Sequence, residues 1–251
     1  MYPTIEDSAS NKNKWIILAW GYVFLFSVIA AHLNYTNPYH LTPSIMGYPL
    51  GALVLWTGLY LPLLLPIFAH WQVKDFGFSI NPALVLASIL IAGLFAVVSR
   101  ELTTWSTTMF ESFARTGEEV FFRGFVYLLL LKALEKKQKP WLWAVIGSSV
   151  VFTLVHTQLL QAYMSAGAET GSAAFVFVSR TLNIFLGGLI FALLRHWTKS
   201  ILPGAIAHGV ANGGIMTILF VLLIYAMITY WAYVRKETIF SGFHRQANLP
   251  V

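Results

Sequence analysis

The chain has 251 residues, of which 57% are hydrophobic and only 10% charged, with a mean hydropathy of +0.68 and a formal net charge of +6. Only helices and closed barrels satisfy their backbones in lipid, and no run of alternating residues marks a barrel strand, so the expected fold is all-α: a polytopic transmembrane helical bundle. The basic excess sits in loops between apolar segments, where it sets topology rather than binding nucleic acid. The absence of cysteine excludes disulfides, thiolate catalysis and cysteine-based metal sites.

In chain order, apolar segments at about 15–33, 49–71, 83–99, 118–134, 141–163, 173–194 and 201–234 predict the spans. The first follows a short polar tail and the pair Lys12 and Lys14. Its length, its tryptophans and the lack of a small-residue cleavage site favour an uncleaved anchor over a signal peptide. The last is too long for one span and short for two. Gly213-Gly214 divides it into a half-helix over 201–212 and a full span over 215–234.

Counting basic loops then sets the orientation. Lys12/Lys14, Lys74, the cluster Lys132/Lys136/Lys137/Lys139, Arg195/Lys199 and Arg235/Lys236 share one side if the chain crosses about eight times with both termini cytoplasmic. The alternate loops are poorer in basic residues: 34–48 has none, and 100–117 offsets Arg100 and Arg115 with Glu101 and Glu111. The tryptophans read mostly as interfacial belts and packing. The whole chain, 1–251, forms one membrane-embedded domain.

The chemistry concentrates between residues 116 and 214. Glu118, Glu119 and Arg123 lie at the lip of an otherwise apolar helix, in a chain with only ten acidic residues. Ionisable groups in a bilayer cost several kcal/mol each and mark function or mutual pairing. Glu119 and Arg123 are four apart and share a helix face, whereas Glu118 is rotated by about 100° and is free to face the bundle. Phe152 and His156 share a face on the next span, His156 about two-thirds of the way along, as do His208 and Asn212 on the half-helix. Small residues around His208, including Gly204 and Ala205, predict close approach to neighbouring helices. Arg180 and Asn183, early in the 173–194 span, reach a similar depth. An arginine buried there wants a carboxylate or a substrate anion, which makes both residues candidate substrate-binding groups.

A carboxylate with a histidine can deprotonate water, and a second histidine with an asparagine can donate hydrogen bonds to a developing oxyanion. No serine sits in a Gly-x-Ser-x-Gly turn, so the parts suit hydrolysis of an amide by an activated water. In that order and spacing, Glu118-Glu119-x-x-x-Arg123, Phe152-x-x-x-His156 and His208-x-x-x-Asn212 resemble the CPBP family, the CAAX prenyl endopeptidases and bacteriocin-processing or Abi-type proteins regarded as glutamic intramembrane proteases. The resemblance implies that Glu118 is the catalytic glutamate with His156 as its partner, and that His208 and Asn212 stabilise the oxyanion. Glu119 and Arg123 would support the site through a buried ion pair. It further implies a multi-pass protein of the bacterial inner membrane, acting without a cofactor on a membrane protein or on a lipidated or exported peptide. The charge count makes the site open outward.

Three other readings stand beside this one. A zinc hydrolase would use Glu118, His156 and His208 as ligands, although no His-Glu-x-x-His occurs. A proton-coupled transporter would use the same three as a relay, but would favour paired repeats that the chain lacks. A non-catalytic scaffold would be expected to lose one of the motif residues, and all are present.

Overall fold

A computed structural model describes residues 21–22, 25, 44–45, 48–49, 56–64, 73–78, 84, 86–90, 113–156, 173–213 and 216–234. Most of the first predicted span, the 162–172 loop, Arg235 and Lys236, and the polar tail 240–251 lie outside these. Apart from a minimal antiparallel pair, β1 (Ser44–Ile45) with β2 (Tyr48–Pro49), the described elements are helical. One of them, Ala173–Thr198, is long and apolar enough to cross a membrane by itself, and Pro140–Val155 is a shorter apolar helix.

The centre of the fold is the segment that carries the glutamate doublet. The chain is helical from residue 113, so Arg115 belongs to the helix rather than to the expected loop. Over Glu119–Val126 the helix widens to π geometry, with the Tyr127 amide donating to the carbonyl of Phe122 five residues back. It then returns to α-geometry as α1 (Tyr127–Ala133). Such wide turns occur mostly within α-helices and often at functional sites. All eight residues of the π segment are buried, and a helix that is apolar nearly all round belongs at the middle of a bundle.

Three helices meet it, and a fourth packs on one of these. α2 (Pro140–Val155) starts on a proline, whose missing N–H costs nothing at a first turn, and runs back along α1. It has 16 residues, or about 24 Å, with His156 at its C-cap, and the rest of the expected span, 157–163, lies outside the described residues. α3 (Ala173–Thr198) packs against α2 along much of its length. Its buried stripe is Gly188, Ala192 and Arg195, whereas Phe175, Val178, Leu182, Leu186 and Ile190 are exposed at helical spacing. A continuous apolar face of this kind suits lipid contact.

The predicted division of the last region is observed. α4 (Leu202–Gly213) is a short helix whose described side chains are all buried, and α5 (Met216–Val234) folds back against it. Small residues let α4 come close. A Cβ on Gly204 would lie 2.8 Å from a carboxylate oxygen of Glu119.

Earlier parts of the chain close the remaining sides. The Tyr22 hydroxyl donates to the carbonyl of Gly58 at 2.6 Å, and its ring meets Phe121 and Phe125. The turn Val73–Phe76 lies on the π segment where Gly124 has no side chain, since a Cβ there would stand 3.0 Å from the Phe76 carbonyl oxygen. At the far end of the bundle, Gly77 takes φ +89° and packs against the guanidinium of Arg195. Arg195 in turn donates to the carbonyl of Asp75 at 2.9 Å. The Gly77 carbonyl accepts the Ile201 amide at 2.9 Å, joining this turn to the start of α4.

Candidate active site

Three elements bring their polar groups to one place. The α-helical residue before the π segment is Glu118 and the segment's first residue is Glu119, while the C-terminus of α2 supplies His156 and the middle of α4 supplies His208. Glu118 Oε2 lies 3.8 Å from His156 Nε2 and 3.7 Å from His208 Nε2. Both separations are too long for direct hydrogen bonds, and Oε2 is buried without a hydrogen-bond partner among the described residues. The other oxygen of the same carboxylate, Oε1, accepts from Arg115 Nη1 at 2.7 Å.

The tautomers follow from the partners of Nδ1. His156 Nδ1 is 2.7 Å from the carbonyl oxygen of Phe152. A carbonyl only accepts, so Nδ1 carries the hydrogen and a neutral ring offers its Nε2 lone pair towards Glu118. His208 Nδ1 is 3.0 Å from Glu119 Oε1. Glu119 is also paired with Arg123 at 3.4 Å and acts as a carboxylate acceptor, so Nδ1 is again the donor. A neutral His208 therefore faces Glu118 with a lone pair, and only the imidazolium presents an N–H there. The Glu119 carboxylate holds the ring by its Nδ1 edge, as the buried aspartate orients the histidine of a serine-protease triad.

Aromatic rings fix these groups in place. The Arg123 guanidinium lies 4.1 Å from the Phe152 ring and 5.5 Å from that of Phe191. Phe152 also stands 4.3 Å from the His156 ring, and Phe191 stacks on His208 at 5.1 Å and 22°. Phe152 thus separates the buried cation from an imidazole, which gives the aromatic in Phe152-x-x-x-His156 a physical task. A planar cation over an aromatic face is favourable in a desolvated setting.

Of the residues predicted from sequence, the structure gathers Glu118, Glu119, Arg123, His156 and His208. Asn212 lies one turn after His208 on α4, and its side chain is outside the described residues. Arg180 and Asn183 are exposed, which corrects the expectation of a buried arginine in this span. Asn183 is nine residues from the buried Ala192, about half a turn away round the helix, and the contribution of α3 to the cluster is Phe191. Sequence reading missed Phe191, one apolar residue among many. It also missed Arg115, whose (i, i+3) spacing to Glu118 was visible but was read as loop charge.

The sequence model of the Rce1-like family, described as type II CAAX prenyl endopeptidase Rce1-like, matches residues 82–214. No curated protein and no solved structure matches.

Proposed function

Since the chain belongs to the Rce1-like family of type II CAAX prenyl endopeptidases, which are membrane-embedded proteases, we propose that it hydrolyses a peptide bond near the membrane surface by the glutamic mechanism. The observation that carries this reading is the convergence of Glu118 Oε2 with the two Nε2 atoms at 3.7 and 3.8 Å. One water oxygen at about 2.8 Å from each partner spans such gaps. Glu118 accepts the proton of that water as its oxygen attacks the scissile carbonyl, and His156 Nε2, a lone-pair acceptor, holds the second hydrogen.

His208, as the imidazolium backed by Glu119, donates to the oxyanion that forms, together with Asn212 from the next turn. Collapse of the tetrahedral intermediate breaks the C–N bond, and the proton held by Glu118 goes to the leaving amine. Glu119 and Arg123 do not touch substrate in this scheme. They set the ring of His208 and the stack on Phe152.

We read the site as metal-free, on a membrane-tethered peptide, within a bundle of about eight spans. Zinc held by Glu118, His156 and His208 is the alternative. Ligand atoms around a tetrahedral zinc with bonds of about 2.05 Å stand roughly 3.3 Å apart, closer than the separations here, and Arg115 already engages the carboxylate. Activity surviving a strong chelator separates the two.

The test is purified protein in nanodiscs against an internally quenched, farnesylated CAAX peptide, with peptidomics of cells expressing wild type or Glu118→Ala. Cleavage by wild type, lowered about 10²- to 10⁴-fold in Glu118→Gln at unchanged thermal stability, is the expected result. Equal peptide pools in both cell lines, with no cleavage in vitro, would leave the transporter or scaffold reading in its place.

A further inference from the structure

We propose that Arg115, outside the three motifs, is a positioning residue that holds the Glu118 carboxylate by one oxygen so that the other is committed to the reacting water; this rests on the hydrolytic reading above. Three features of the geometry point to it.

The first is the division of labour on one carboxylate. Oε1 accepts from Arg115 Nη1 at 2.7 Å, a charge-assisted bond at the short end of its range. Oε2, on the opposite side, faces His156 and His208. A glutamate has three side-chain torsions to fix, and without a hold on Oε1 its head could rotate and present either oxygen, or neither, to the imidazoles. Arg115 removes that freedom, and reaction rates are sensitive to misplacements of even 1 Å.

The second is charge. Four formal charges meet here: Glu118 and Glu119 negative, Arg115 and Arg123 positive. Glu119 and Arg123 are matched to each other at 1% exposure or less. That leaves Arg115 as the counter-ion of Glu118, whose side chain is only 10% exposed. His156 donates through Nδ1 to the Phe152 carbonyl, and His208, protonated in the scheme above, gives its Nδ1–H to Glu119, so neither bonds the Glu118 carboxylate directly as Arg115 does. A buried carboxylate without a partner is costly, and a base has to be anionic to act.

The third is where Arg115 sits. It precedes Glu118 by one turn, in the stretch that is still α-helical before the π geometry begins at Glu119. The pair therefore ties Glu118 to the α-helical side of the transition, while Glu119 turns towards α4. With 25% of its side chain exposed, Arg115 is also open enough to be replaced from solution.

That accessibility supplies the test. In nanodiscs, Arg115→Ala is expected to lower kcat on the farnesylated quenched peptide by about 10- to 100-fold, with KM changed less than about twofold. Low, non-denaturing guanidinium should restore much of the loss, whereas urea, of the same shape but uncharged, should not, and Arg115→Lys should keep most of the rate. A second measurement needs no substrate: infrared difference spectra against Glu118→Gln isolate the Glu118 carboxylate stretch. Arg115→Ala should shift that band and guanidinium should return it. An unmoved band overturns the proposal whether or not the peptide is cleaved, and so does a kcat within about twofold of wild type, or a loss that neither guanidinium nor lysine recovers. Failure of wild type to cleave the peptide counts against the hydrolytic reading, and the infrared result still decides the hold of Arg115.

Discussion

The buried pair Glu119–Arg123 makes a sharp thermodynamic prediction. Their side chains are 0% and 1% exposed, with Nη1 to Oε1 at 3.4 Å. At an effective dielectric constant of about 20, charges at that distance attract by roughly 5 kcal/mol. The guanidinium over Phe152 contributes about 1 kcal/mol more. Desolvation offsets much of this sum, so the pair as a whole is worth little against an apolar replacement, yet losing one member leaves a charge stranded. Arg123→Met is therefore expected to cost about 3–5 kcal/mol, and Glu119→Gln a similar amount.

The double variant Glu119→Gln/Arg123→Met should lie within about 2 kcal/mol of wild type, because no charge is left uncompensated. The four proteins are compared by reversible unfolding in mixed micelles with increasing SDS, and the coupling is read from the cycle. A coupling of about 3 kcal/mol or more is the expected outcome. If Arg123→Met costs under about 1 kcal/mol, or the double loss equals the sum of the single losses, the two side chains do not compensate each other and the account of the core is wrong. Activity should remain low in the double variant even where stability returns, because His208 then has no anionic partner behind it.

Other perturbations address packing and topology. Gly204→Ala sets a methyl 2.8 Å from the Glu119 carboxylate, which is already held by Arg123 and His208; a loss of about 1–3 kcal/mol in the same unfolding assay is expected. Gly77→Ala has to take φ +89° and displace the Arg195 guanidinium, so a loss of at least about 1–2 kcal/mol is expected, and wild-type stability would show that this turn does not fix the start of α4. Reporter fusions at Lys137 and Ala168 test the orientation: a cytoplasmic Lys137 with an external Ala168 is expected, and a cytoplasmic Ala168 sinks the outward-facing site.

What the sequence could show depended on local spacing. The (i, i+4) relations of Glu119 with Arg123, and of Phe152 with His156, follow from helical pitch alone, and the division of the last region was legible in its length and in Gly213-Gly214. Burial of Arg180 was not decided by its apolar neighbours, because α3 presents an exposed apolar face as well as a buried one, and composition does not say which face a residue occupies. Nor does pitch reveal the π turn, which depends on how the segment packs against the 73–76 turn and α4. Yet the π turn begins at the point where the doublet divides. Glu119 reaches the Nδ1 edge of His208 at 3.0 Å, while Glu118 faces the Nε2 edge of the same ring at 3.7 Å. Two neighbouring carboxylates thus bracket one imidazole, one fixing its tautomer from within and the other meeting its reactive edge. Neither could be moved along the chain without losing the ring between them, which is the physical reason for acids side by side in so apolar a helix.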